Sequence, residues 1–363
     1  MLNQKKISGK IINYNSSITG SIFFDDIIQD IEEHNLLDCD KIIIPGFVDL
    51  HCHGGNGFDV MDGSEAIVNM SKYHLEHGTT SLMPTTWTNT LVETFSALKG
   101  FKEIQLQNKN LLGVHLEGPF INPDKLGAQP NLTIKPSIEF IEKIKQVADI
   151  KIITLAPEIQ GMYDFIKYLV KFNIKIQFGH TLANMNSCQK IMDEFEVGFT
   201  HLYNAMSGND HRKPGVLSAA LCNGEHAEII CDNIHVSKQA IRIAKKCITG
   251  LYAITDSINA SGLKDGDYIF AKNKINKLNN SVKIIDDGTL AGSIITMDKT
   301  FKNLIEMGFT DQEAVELTSY NASRYIRENN IGKLDIGFRS NILVLDKDYN
   351  LLEVYLDGVK INA

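Results

Sequence analysis

Eight apolar runs of strand length recur from Phe47 onward, at 47–52, 79–83, 111–116, 150–156, 174–179, 197–202, 227–231 and 251–255. Between them lie stretches with apolar residues mostly three and four apart: Glu65 to His77, Leu91 to Gln107, Ser137 to Val147, Tyr163 to Phe172, Met185 to Phe195 and Lys238 to Ile248. Repeated strand–helix alternation leaves few arrangements open, because parallel strands need long crossovers and the crossover helix must cover a sheet face. The pattern predicts an α/β fold, a (β/α)8 TIM-like barrel, whose working groups lie at the C-terminal ends of the strands.

Those ends carry chemistry. The first run closes on Asp49-Leu50-His51-Cys52-His53-Gly54, and a strand's period of two points both imidazoles the same way. Later runs stop at His115 and Glu117, at His180, at His201 and at Asp256. Eight windows of about five residues should catch roughly one of the 11 histidines by chance, yet His51, His53, His115, His180, His201 and His235 all sit at or just past strand ends. The others, His34, His74, His77, His211 and His226, fall on helices or loops, where a solvated or capping role is expected.

The two ends of the chain read differently. Residues 1–46 and 335–363 hold short alternating segments such as Lys10-Ile11-Ile12-Asn13-Tyr14 and Asn341-Ile342-Leu343-Val344-Leu345. Neither end can bury its strands alone, so the two are expected to combine into one small β-sandwich domain beside a barrel of residues 47–334. Residues 264–292, rich in Asn, Lys, Asp and Gly, read as a hairpin excursion after the eighth strand.

Composition removes several classes of function. A net charge of −8 argues against sequence-independent nucleic-acid binding, which needs a basic face. No apolar stretch has the length of a membrane helix, and Met1-Leu2-Asn3-Gln4-Lys5-Lys6 runs into polar residues, so a cytoplasmic protein without membrane contact is expected. The six cysteines form no C-x-x-C pair and read as reduced, mostly buried thiols, with Cys52 facing away from its histidine neighbours.

Imidazole and carboxylate together suit Zn²⁺ or Fe²⁺ better than the all-oxygen shells of Mg²⁺ and Ca²⁺. A metal so held brings bound water toward a pKa of about 7, making hydroxide available at neutral pH. Asp256 beside it could take that proton and deliver it to a leaving amine, which leaves poorly unprotonated.

The set His-x-His, His115-Leu116-Glu117-Gly118-Pro119-Phe120, Gly179-His180-Thr181, His201-Leu202-Tyr203-Asn204-Ala205-Met206, Thr255-Asp256-Ser257 and Asp287-Gly288-Thr289-Leu290-Ala291-Gly292-Ser293 resembles the amidohydrolase superfamily. Within it the order of motifs is similar to the N-acetylglucosamine-6-phosphate deacetylase family, over essentially the whole chain. The resemblance implies hydrolysis of an amino-sugar phosphate to the free amine and acetate, with one or two divalent metals per subunit. It implies Glu117, His180 and His201 as the principal metal ligands, His51 and His53 as ligands of a second metal bridged by the glutamate, and Asp256 as the acid/base. Arg212 and His235 correspond to residues that grip the sugar phosphate, helped by backbone at Asn204 and Ala205; the arginine reaches across from a neighbouring subunit, implying a homodimer. Gln129 departs from the pattern, standing where some members carry a histidine that polarises the acetyl carbonyl, so carbonyl activation should rest more on a metal. The galactosamine epimer as substrate, and a dihydroorotase-like cyclic amide, stay open as alternatives.

Overall fold

The computed structural model describes residues 5–34 and 40–361, so Cys39 lies outside the described part. Strands occur at each of the eight expected places: β1 (Phe47–Cys52), β2 (Thr79–Thr86), β3 (Val114–Glu117), β4 (Ile150–Leu155), β5 (Lys175–Phe178), β6 (Val197–Phe199), β7 (His226–Ile230) and β8 (Gly250–Ile254). The first six form one parallel sheet in the order β6-β5-β4-β3-β2-β1, and β7 and β8 form a separate parallel pair. The continuous ladder is thus six strands, not eight. Its last strand, β6, has only 3 residues, and the backbone leaves the extended region at His201, where φ is 29°. Isolated backbone bonds span the gaps: Leu202 N donates to Glu228 O at 2.9 Å between β6 and β7, and Asp256 N to His51 O at 2.9 Å and His53 N to Ser257 O at 2.8 Å between β8 and β1.

Side chains alternate between two surroundings along each strand. Ile176 and Phe178, Ala227 and Ile229, and Leu251 and Ala253 pack into the large core shared with the helices. Val48, Leu50, Met83, Ile152, Ile230, Tyr252 and Ile254 form a second, inner cluster. Strand β1 breaks the alternation. Val48 and Leu50 belong to the inner cluster, Cys52 belongs to the helix-side core, and the pairing of β1 with β2 slips between Asp49 and Cys52. A bulge of this kind re-aims side chains, and it puts His51 and His53 on the same side as Leu50.

The crossover helices match the expected stretches closely, with Ser137 accepting from Phe140 N and Ser237 from Ala240 N at their starts. Leu91 to Gln107 is the exception. It divides into Leu91–Leu98 and Phe101–Gln107, since Lys99 is extended and Gly100 has φ +84°, a left-handed conformation that suits glycine. The expected hairpin after β8 is a three-stranded antiparallel sheet, Gly266–Phe270, Asn273–Leu278 and Ser281–Ile284, followed by helices Met297–Glu306, Asp311–Val315 and Asn321–Tyr325.

Strands from both termini share one seven-stranded sheet, in the order Val359–Ile361, Leu351–Leu356, Ile342–Leu345, Ile42–Pro45, Lys5–Ile12, Ser17–Phe24, Ile28–Glu33. Among the described residues it is a single sheet, where two facing sheets of a sandwich were expected. One face, with Ile12, Ile42, Ile44, Leu343 and Leu345, joins the large core. The other gathers Ile7, Ile11, Ile22, Phe24, Ile342 and Val344 with Leu334 into a separate apolar cluster. Among the described residues no helix is long and apolar enough to cross a membrane.

Candidate metal centre

Six side chains named from sequence meet just beyond the strand ends. His51 Nε2 and His53 Nε2 lie 3.2 Å apart; His180 Nε2 and His201 Nε2 lie 3.0 Å apart. Glu117 stands between the pairs, with Oε1 3.0 Å from His180 Nε2 and 2.9 Å from His201 Nε2, and Oε2 3.2 Å from His53 Nε2. Asp256 Oδ1 is 3.2 Å from His53 Nε2 and 3.4 Å from His51 Nε2. All six are buried.

The backbone is forced where it delivers them. His180, His201 and Asp256 have φ of 48°, 29° and 49°, a region non-glycine residues enter at a cost of about 1–3 kcal/mol each. Neighbouring bonds hold them there: Asn122 N donates to His180 O, Asn204 N to His201 O, and Ser293 N to Asp256 O, at 2.9, 3.0 and 2.8 Å. Gly292, just before Ser293, has φ +60°, and a Cβ on it would fall 2.6 Å from Ile258 Cγ2 and 3.0 Å from Asp256 O. Gly292→Ala is therefore expected to lose about 1–3 kcal/mol in urea unfolding. A variant as stable as the parent would mean that the Asp256 turn tolerates displacement.

The hydrogen bonds on the far ring nitrogens decide what the cluster can hold. His180 Nδ1 lies 2.8 Å from Lys125 O, His53 Nδ1 2.9 Å from Thr85 O and His51 Nδ1 2.8 Å from Glu228 Oε2. Carbonyl and carboxylate oxygens only accept, so each Nδ1 carries a proton and each Nε2 faces inward, a ligand for a metal once it is unprotonated. Those Nε2 atoms face one another and the oxygens of Glu117 and Asp256. Positive charge at the centre, as a bound cation or as protons on the imidazoles, reconciles such a set. Bonds of about 2.1 Å place donor atoms roughly 3 Å apart at right angles and about 3.4 Å apart at tetrahedral angles, the spacing found here.

Electrostatics agree. Burial alone would push His51 and His53 down, but Glu228, Glu117 and Asp256 hold His51 well above the ordinary imidazole range, and Asp256 and Glu117 bring His53 up to about 9. Against burial, His51 and His180 hold Glu117 well below the usual carboxylate range, and His51 and His53 lower Asp256. The site favours positive charge at its centre and keeps both carboxylates ionised. Three sets of donor atoms close enough to hold an ion emerge: Glu117, His180 and His201; His51, His53 and Asp256; and His51, His115 and Glu228. The last is the poorest, since His115 uses Nδ1 on Leu50 O at 3.1 Å and Nε2 on Thr154 Oγ1 at 2.8 Å, and burial holds it neutral down to about 3.

A cavity of about 420 Å³ opens over the centre, lined by His53, Glu117, His180, His201 and Asp256, and by Gln129, Asn204, Ala205 and His235. Gln129 is pinned by Thr88 N on its oxygen and donates its amide to Glu117 Oε2. His235 pairs through Nδ1 with Asp232 Oδ2 at 2.6 Å. Arg212 is brought to none of these; it is exposed, with its backbone N on Asp210 Oδ1, and it does not line the cavity.

Some expectations need correction. His74, expected to be solvated or capping, is fully buried, with Nε2 3.0 Å from Gly54 O and 3.2 Å from the Cys52 thiol, and burial lowers it to about 4. His226 begins β7 and does not lie in a loop. The cysteines need none: of the five described, Cys52, Cys188 and Cys231 are buried, and Cys222 and Cys247 are exposed. Glu228 was not anticipated at all. A carboxylate in the middle of the apolar run Ala227-Glu228-Ile229-Ile230, alternating with residues that pack outward, was its one sequence signal.

Comparison with known proteins places this arrangement. A model of the amidohydrolase family matches residues 42–361. The chain is 36% identical over 330 residues to the N-acetylglucosamine-6-phosphate deacetylase of Bacillus subtilis, covering 86% of this chain and 83% of that protein. It is 29% identical to the N-acetylgalactosamine-6-phosphate deacetylase of Escherichia coli, covering 88% and 87%. The crystal structure of N-acetylglucosamine-6-phosphate deacetylase from Thermotoga maritima superimposes with a TM-score of 0.91 at 28% identity, over 98% of this chain and 99% of that one.

Proposed function

The chain belongs to the amidohydrolase family, and on that premise we propose that it hydrolyses the acetamide of N-acetylglucosamine 6-phosphate to glucosamine 6-phosphate and acetate. The observation that carries this reading is the inward-facing ring of imidazole lone pairs beside an ionised Asp256, open to a cavity of sugar-phosphate size. Glu117, His180 and His201 would hold one divalent ion, zinc or iron, and His51 and His53, sharing Glu117, a second. Such an ion supplies Lewis acidity, which makes water nucleophilic near neutral pH and polarises a carbonyl.

The chain's own groups do the rest. Asp256 takes a proton from the water that attacks the acetyl carbon and returns it to the sugar nitrogen as the carbon–nitrogen bond breaks, so the amine departs neutral. Gln129, with one amide N–H on Glu117, has a second for the developing oxyanion. His235 and the backbone of Asn204 and Ala205 lie across the cavity for the phosphate. We read the eight strands as a (β/α)8 barrel spanning 47–334, the terminal sheet of 1–46 and 335–363 as its companion domain, and the protein as cytoplasmic. Kinetics on both epimers test the substrate: the expected result is a higher kcat/KM for the glucosamine compound, and a preference for the galactosamine compound would reassign it.

Arg212, exposed and outside its own cavity, fits a role in the site of a second copy, as an arginine fork suits a phosphate. Co-expression of R212A and D256N chains tests this homodimer. Each variant alone is expected to be deficient, and random pairing should restore about a quarter of parental activity, since half the dimers then carry one intact site. Activity no greater than the two variants separately would place Arg212 outside catalysis in a partner.

A further inference from the structure

We propose that Glu228 is a positioning residue that ties the two halves of the metal centre together and sets the affinity of the His51–His53 half. The inference rests on the two-ion reading above. Glu228 is fully buried, on an inward position of β7 where a barrel interior is ordinarily filled by branched aliphatic residues. A carboxylate there is costly unless every lone pair is used. Its Oε2 lies 2.8 Å from His51 Nδ1 and accepts from the backbone N–H of His201 at 3.2 Å, one contact to each half. Its Oε1 is 3.4 Å from the Tyr252 hydroxyl, which in turn accepts from Gln177 Nε2 at 2.7 Å. Gln177 Oε1 accepts from Thr200 Oγ1 at 2.9 Å, and Thr200 and Thr154 hydroxyls are 2.7 Å apart, so the carboxylate sits at one end of a hydrogen-bonded floor under the site.

The consequence is a fixed tautomer. Because Glu228 only accepts, His51 donates Nδ1–H and keeps its Nε2 lone pair aimed between His53 and Asp256. Removing the acceptor frees the ring to flip or to carry its proton on Nε2, which removes it as a ligand. A role confined to packing would leave that choice unaffected.

Calorimetric titration of chelator-stripped protein with Zn²⁺ reads the effect. The parent should bind in two steps; Glu228→Leu, which fills the same interior space, should keep the first step within about threefold and weaken the second by about 10- to 100-fold, as loss of an outer partner does elsewhere. Glu228→Gln, nearly isosteric, carries the same test should the leucine variant not fold, with a smaller shift in the same step. Two unaltered steps in the folded variants would overturn the inference and leave the two-ion reading standing. A single step in the parent would overturn both, and equal weakening of both steps with a lowered melting temperature would reduce Glu228 to a structural role.

Discussion

Replacing Asp256 with asparagine is expected to lower kcat by about 1000-fold or more while bound metal is unchanged. Two facts combine to give so large an effect. Asp256 lines the cavity beside the His51–His53 pair, and the imidazoles of His51 and His53 keep it ionised despite burial. Asparagine keeps the shape and a hydrogen-bonding oxygen but accepts no proton, and amide hydrolysis stalls when the amine cannot be protonated. Elemental analysis together with acetate release checks the outcome. Activity within about tenfold of the parent would refute the acid/base assignment.

Replacing Glu117 with alanine is expected to empty the centre. Its two oxygens contact His180 and His201 on one side and His53 and Gln129 on the other, so its side chain meets imidazoles of both halves. Without it the inward-facing Nε2 atoms of the four imidazoles confront one another with no shared anion, and both sites lose a ligand. Metal content after purification should fall below about a tenth of the parent's, with turnover down by about 10,000-fold, the combined loss of nucleophile activation and carbonyl polarisation. Full metal occupancy in the variant would show that the histidines suffice.

Much of this was legible before any coordinates, because period and position are strong signals in long alternating chains. The eight runs, the strand-end placement of Glu117, His180, His201 and Asp256, and the strand character of both termini all follow from where apolar residues recur; the merging of the terminal strands into one sheet does not. What escaped has specific causes. Strict alternation would have set His51 opposite Leu50; the slip between Asp49 and Cys52 brings them to the same side, and a bulge leaves no mark in a single sequence. Gly100 reads equally as a tolerated helix glycine or as a break, and only the left-handed backbone decides it. His74 sits on a helix whose pattern does not reveal that its neighbour across the fold is the carbonyl of Gly54. Glu228 was hidden because a lone charge in an apolar run reads as a strand end, and its purpose depends on His51, 177 residues away. Arg212 has no partner in its own cavity, so its assignment waits on a second copy of the chain.

The central claim is that distant strand ends converge to hold a Lewis-acidic ion within reach of an ionised carboxylate. The most direct test is acetate release from N-acetylglucosamine 6-phosphate by protein stripped with a chelator, followed by stepwise return of Zn²⁺ or Fe²⁺. Release should vanish on stripping and return in proportion to metal bound. Stripped protein, free of metal by elemental analysis, that still releases acetate at the parental rate would contradict the account.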